Sequence, residues 1–81
     1  MELGGYRFTA HAENNLKERA YIRIEWIEKT LEAPDLKEVF SDIEIHFIKQ
    51  IPEYGDRFLR VVVNPQRKTV ITYFFDRRLK K

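Results

Sequence analysis

The sequence predicts an α+β domain in which two N-terminal helices pack on one face of a three- to four-stranded antiparallel sheet. Three observations predict this class. Between Thr9 and Pro34 apolar residues recur at helical spacing, whereas from Lys37 onward the chain turns to runs rich in β-branched and aromatic residues. The segments "PEYGD" and "NPQRK" break those later runs as turns do. Finally, 81 residues are enough for one hydrophobic core and not for two, so residues 1–81 are read as a single domain.

Each element has a local cause. "YRF" reads as a short strand or an extended lead-in, and Thr9 follows as an N-cap whose hydroxyl can accept from an orphan N–H of the first helical turn. The first helix is expected to run to about Ala20, with Ala12, Leu16 and Ala20 as its apolar stripe and His11, Asn14, Asn15 and Glu18 to one side. The second lies in "RIEWIEKTLEAPD", with Ile24, Ile27 and Leu31 on one face. Pro34 ends it, because the residue before a proline avoids helical geometry. Trp26 falls off that stripe, so it either covers the first helix or forms a partly exposed anchor for a partner.

The strands are "KEVFS", "IEIHFIKQI", "RFLRVVV" and "TVITYFF", read as an antiparallel meander. Alternation gives the last two an inward set, Leu59, Val61 and Val63 with Ile71, Tyr73 and Phe75. The outward set is Phe58, Arg60 and Val62 with Val70, Thr72 and Phe74. If Val63 pairs with Thr69, Arg60 stands opposite Thr72, and a tight turn after Ile51 brings His46 to the same face. The "DRRLKK" ending reads as a frayed or partner-ordered tail.

Composition narrows the function classes. With 43% hydrophobic and 14% aromatic residues the chain is globular rather than disordered. Absence of Cys excludes a disulfide scaffold, a thiolate metal site and a thiol nucleophile. "MELGGYRF" lacks the basic-then-apolar pattern of a secretory leader, and no apolar run approaches the roughly 18 residues of a membrane span, so a cytoplasmic location without membrane partners is expected. The formal charge of +2 hides an asymmetry. Residues 1–56 carry 7 Lys or Arg against 12 Asp or Glu, a net −5, and residues 57–81 carry 8 against 1, a net +7. Such an imbalance points to a polyanion or an acidic protein as partner, or to a merely solvated basic tail.

Two blocks carry a resemblance to a known family. "HAENNLKERAYIRIEWIEKTLEAPD" resembles its His-Ala opening, its Arg eight residues later, its paired helices and closing Pro, and "RFLRVVVNPQRKTVITYFFDRR" resembles its closing strand pair. The family is a small, usually bacterial domain of unknown function that belongs with the RelE/ParE-like toxin superfamily. The resemblance implies a RelE/ParE-like toxin fold and an activity of that superfamily, whose members cleave RNA, poison a topoisomerase or have lost activity. It also implies an antitoxin protein as partner.

Metal-free RNA cleavage needs a base for the ribose 2'-hydroxyl, cations for a crowded phosphorane and an acid for the leaving oxygen. His11 is the first candidate for acid or base, with Arg19 and Arg60 as catalytic cations. Arg57, Arg77 and Arg78 are candidate phosphate clamps, and Tyr54 a ring on which a base could stack. His11 and Arg19 lie about 80° apart around a helix and roughly 12 Å along it, so they flank a surface without touching. The structural alternative is that His11 caps the helix or bridges to a sheet residue while Arg19 pairs with Glu18, Asp35 or Asp42 and locks helix to sheet, and that Trp26 packs instead of binding a partner. Two His without Cys make no metal site, and no nucleotide-binding or triad motif is present, so no cofactor is expected. The expected function is therefore a toxin-type, metal-independent endoribonuclease acting on single-stranded or ribosome-bound RNA. The alternative is a non-catalytic relative that binds protein or nucleic acid, including a topoisomerase-directed one.

Overall fold

"YRF" forms the short strand that the sequence offered, and a two-residue strand that the sequence did not predict precedes it. Leu3 and Tyr6 pair across Gly4 and Gly5, both at positive φ (56° and 84°), so a two-residue hairpin joins β1 (Glu2–Leu3) to β2 (Tyr6–Phe8). The computed structural model describes residues 1–79. Its further elements are α1 (Ala10–Glu18), α2 (Ile24–Glu32), β3 (Leu36–Ser41), β4 (Glu44–Ile51), a 3-10 turn at Pro52–Tyr54, β5 (Arg57–Asn64) and β6 (Thr69–Phe75). β3 to β6 form the expected antiparallel meander.

The sheet as a whole is not the three- to four-stranded antiparallel one expected of a RelE/ParE-like toxin fold. It has six strands in the order β1-β2-β6-β5-β4-β3, and β2 runs parallel to β6, pairing Arg7 with Thr69 and Phe8 with Val70. Two strands precede the helices, so the α+β class stands while the architecture is a mixed sheet. The physical reason is an open edge. β6 is rich in β-branched and aromatic residues, and its outer side needs hydrogen-bond partners. "YRF" supplies them: Arg7 N–H donates to the Lys68 carbonyl at 2.8 Å, and Thr9 N–H to the Val70 carbonyl at 3.1 Å.

Where β2 stops, α1 covers the same edge with polar side chains. Thr9 is the N-cap expected of it, accepting from Ala12 N–H at 3.1 Å, and its hydroxyl donates to the Ile71 carbonyl at 3.5 Å. Asn15 Nδ2 donates to Thr72 Oγ1 at 3.2 Å, and Arg19 Nη1 to the Tyr73 carbonyl at 2.6 Å. The buried face of α1 is therefore Ala12 and Asn15, whereas Ala20 is exposed and lies beyond the helix. α2 stops before Pro34 as expected, but it buries Trp26, Ile27, Thr30 and Leu31 and leaves Ile24 41% exposed. Thr30 is accommodated because its hydroxyl donates back to the Trp26 carbonyl at 2.7 Å.

The core lies between the helices and one face of the sheet, with Phe8, Ala12, Ile22, Trp26, Ile27 and Leu31 meeting Phe47, Ile51, Leu59, Val61, Val63, Val70 and Tyr73. The expected inward set holds except at one place. Val62 pairs with Thr72 but Val63 pairs with Val70, so Ile71 is the extra residue of a β-bulge and Val70 takes its place in the core. Consequently Val63 does not face Thr69, and Arg60 stands opposite Phe74 rather than Thr72. His46 lies opposite Val62 and Ile48 opposite Arg60, which places His46 and Arg60 together on the face away from the helices, as expected. No helix among the described residues is long and apolar enough to cross a membrane.

Candidate nucleic-acid interface

A tight reversal assembles the most distinctive surface. Pro52 opens the 3-10 turn after β4, and Gly55 (φ 65°) and Asp56 (φ 58°), both in the left-handed region, redirect the chain into β5. The reversal lays Tyr54 on Phe75 at the end of β6, with ring centroids 4.5 Å apart and planes within 20°. Tyr21, from the connection between α1 and α2, stacks on the same pair at 6.0 Å from Tyr54 and 6.5 Å from Phe75. Trp26 meets Tyr54 and Phe75 at 5.8 and 6.1 Å and steeper angles. At 7% exposure Trp26 is the buried wall of this cluster, whereas Tyr21, at 52%, is its outward ring.

One cation packs on the rings. The Arg57 guanidinium carbon lies 5.6 Å from the Tyr54 centroid. Arg57, Arg77 and Arg78 are exposed, and a cleft of about 680 Å³ opens between the start of β5 and the residues after β6, lined by Asp56, Arg57, Phe75, Asp76, Arg77 and Leu79 beside Gly55. A second cleft of about 660 Å³ lies against Tyr21 and Trp26, and its wall balances Arg23 and Lys29 with Glu25 and Glu53, Arg23 Nε pairing with Glu25 Oε2 at 2.9 Å. The four residues expected to contact nucleic acid, Tyr54, Arg57, Arg77 and Arg78, thus gather at one end of the molecule. Tyr21 and Phe75 join them and were not foreseen, the first because it lies in an unpatterned turn, the second because alternation assigned it to the core. The basic third of the chain does not form one patch. Arg67 and Lys68 occupy the β5–β6 turn at the far end of β5, about 25 Å of strand away, and Lys68 Nζ lies 5.7 Å from the Tyr6 ring.

Arg60 is bound inside a charged network on the face away from the helices. Its Nε donates to Asp76 Oδ2 at 2.9 Å and its Nη1 to Glu38 Oε1 at 2.7 Å and His46 Nδ1 at 2.8 Å. A guanidinium only donates, so the tautomer that suits both contacts has His46 Nδ1 accepting and Nε2–H donating to Glu44 Oε2 at 2.7 Å, with both ring nitrogens engaged. Arg60 and Asp76 are 6% and 5% exposed. Burial disfavours the charged form of Asp76, but hydrogen bonds from the Arg78 side chain and backbone and from Arg60 outweigh it and hold the carboxyl below its ordinary value.

The three residues expected to carry catalysis lie apart. His11 is exposed on the first turn of α1, and Arg19 covers the β6 edge, meeting the Tyr73 carbonyl instead of Glu18, Asp35 or Asp42. Among the described residues no hydrogen bond or ion pair joins His11, Arg19 and Arg60 to one another. The Tyr73 hydroxyl is buried without a hydrogen-bond partner among the described residues; burial raises its pKa, and the Arg19 charge opposes that rise. No group of three His, Cys, Asp or Glu among the described residues is placed to hold a metal ion.

No curated protein and no solved structure matches the chain. A family model does match, over residues 8–74, and its description carries neither an activity nor a toxin kinship. The matched segment runs from the end of β2 to the penultimate residue of β6 and so includes both helices and the Tyr21–Tyr54 stack. On that match the chain belongs to the family described as a domain of unknown function, DUF4258.

Proposed function

We propose that this chain is a single-stranded-RNA-binding domain related to the RelE/ParE-like toxins, working in the bacterial cytoplasm on free or ribosome-bound RNA. The observation that carries the reading is the stack of Tyr21, Tyr54 and Phe75 with Arg57 over Tyr54. Unpaired bases present free π-faces that stack on exposed rings whatever their identity, and guanidinium groups beside the rings hold the phosphates between them. Tyr21 supplies the exposed ring, and Arg57, Arg77 and Arg78 the cations. The toxin kinship is supported by the resemblance of the "HAENNLKER" and "VITYFFDRR" blocks, and an antitoxin protein is the partner that kinship implies.

The test is binding of a fluorescent ten-residue oligouridine by anisotropy at several salt concentrations, beside an RNA duplex of equal length. The single strand is expected to bind more tightly than the duplex, with a salt slope of about 2, corresponding to three neutralised phosphates. Preference for the duplex, or no binding at low salt, removes the reading.

Metal-independent endoribonuclease activity is the second reading, favoured by the exposed imidazole of His11 on the helix that carries Arg19. Geometry supports binding better than cleavage, because Arg19 and Arg60 already spend donors on the Tyr73 carbonyl and Asp76. RNA fragmentation after controlled induction of wild type, absent with His11→Ala, supports cleavage. Intact RNA at confirmed folded expression removes it.

A further inference from the structure

β3 stands apart from the other strands, for all six of its residues are exposed. One edge pairs with β4, and the other ends the sheet. Leu36, Val39 and Phe40 on the strand and Ile43 just after it are 51%, 65%, 59% and 55% exposed, which concentrates in eight residues most of the large apolar side chains the protein leaves in water. Sheet edges are ordinarily blunted by Pro, by Lys or by bulges. β3 has no Pro and a single Lys, and its irregularity falls at its far end, between Val39 and Ser41. An apolar row along an open strand edge is a surface on which a further strand can pair.

Charge selects the occupant. Residues 35–44 hold Asp35, Glu38, Asp42 and Glu44 against Lys37, a net −3. A second copy of the chain fits badly. Two-fold antiparallel pairing centred on Glu38 sets Glu38 against itself, pairing centred on Lys37 sets Lys37 against itself, and pairing centred on Val39 sets Glu38 against the Phe40 ring. A foreign strand can instead place a cation opposite Glu38, whose side chain is 46% exposed although it accepts from Arg60. Leu36 and Glu38 lie on the face away from the helices, and Phe40, the bulged residue, is on it too, its ring packed on His46 with centroids 4.3 Å apart, so such a strand needs apolar residues two positions to either side of the cation.

We propose that the outer edge of β3 is a docking site for an extended segment of a partner protein that carries Lys or Arg opposite Glu38 and apolar residues opposite Leu36, Val39 and Phe40. The segment adds a seventh strand at the edge opposite β1. Backbone hydrogen bonds supply affinity, and the Glu38 pair and the apolar flanks supply register. This surface is separate from the ring cluster and does not depend on RNA binding.

The test uses the isotope-labelled chain and the capped peptide Ser-Leu-Val-Lys-Thr-Val-Ser, followed by amide chemical shifts. Shifts confined to residues 36–43, with slowed exchange of β3 amides, are expected. Replacing the peptide Lys by Glu, or the protein pair Val39→Lys with Phe40→Lys, is expected to weaken binding by about tenfold or more. Both protein substitutions are at exposed side chains, and an unchanged thermal midpoint verifies that the fold is intact. Absence of β3 shifts up to about 1 mM peptide, the weak end of specific recognition, overturns the proposal. So does equal binding of the Glu peptide. A wild-type dimer in sedimentation that the double variant dissolves overturns it as well, because the edge then belongs to a second copy.

Discussion

Truncating Arg60 to Ala removes the guanidinium that ties β3, β4 and the segment after β6 together on the outer face of the sheet. Asp76, 5% exposed, would lose its buried partner and keep Arg78, whose side chain is 84% exposed. Glu38 and His46 Nδ1 lose their donor at the same time. Breaking a buried ion pair by removing one partner costs about 3–5 kcal/mol. A chain of this length has a total stability of roughly 4–12 kcal/mol, so Arg60→Ala removes a quarter of it at the least. At about 4–8 °C per kcal/mol for a domain of this size, the midpoint falls by 12 °C or more. Urea unfolding read by Trp26 fluorescence measures this, since that ring is buried among Tyr54, Phe75 and the core. The companion Arg60→Met with Asp76→Asn removes both charges and is expected to recover part of the loss. A cost below about 1 kcal/mol for Arg60→Ala, the level of an exposed pair, would mean that the network does not hold the outer face together and would leave the guanidinium free for a phosphate.

Acidification tests the same network from its anionic side. The folded-state pKa of Asp76 is lowered, so its contribution is fully present above the unfolded value of about 3.9 and is lost as pH falls through the folded value. Wild type is thus expected to lose stability below about pH 4, with a shallower acid limb for Asp76→Asn in pH-dependent urea midpoints. Tyr73→Phe deletes a buried hydroxyl that has no partner among the described residues and is expected to raise stability by about 1 kcal/mol in the same assay. Asn15→Ala, which leaves Thr72 Oγ1 without its amide donor at the β6 edge, is expected to cost about 1 kcal/mol. Gly4→Ala is expected to destabilise, because the residue sits at φ 56° and an added Cβ would lie 3.1 Å from Leu31 Cβ.

Much of the fold is legible in local pattern. Thr9 caps, Pro34 stops and β3 to β6 alternate because each of these effects acts within a few residues. The Gly4-Gly5 pair is also a local hairpin signal and "YRF" reads as a short strand, but its pairing is hidden, because the strand it joins lies some sixty positions away. The bulge at Ile71 has no sequence mark, since Val70, Ile71 and Thr72 are all β-branched and any of them could be the extra residue. Polar residues misled in a consistent way. Asn15, Arg19 and Arg60 look solvent-facing or functional in isolation, yet their partners are Thr72, the Tyr73 carbonyl and Asp76, brought close only by tertiary pairing. At the candidate interface, Tyr54 and the arginines were recognisable by chemistry. Tyr21 and Phe75 join them only in the folded chain, where the Gly55–Asp56 reversal lays Tyr54 on Phe75 and the α1–α2 connection brings Tyr21 against both.

The most direct measurement of the central claim is amide chemical-shift mapping of the labelled chain with oligouridine. Shifts centred on Tyr21, Tyr54 to Arg57 and Phe75 to Arg78 are predicted, and Tyr21→Ala, which removes one stacked base, is predicted to weaken binding by about 5- to 150-fold with the fold intact. Shifts centred on His11, on the Arg67–Lys68 turn or on β3 instead, or a Tyr21→Ala variant that binds as wild type does, would contradict the account.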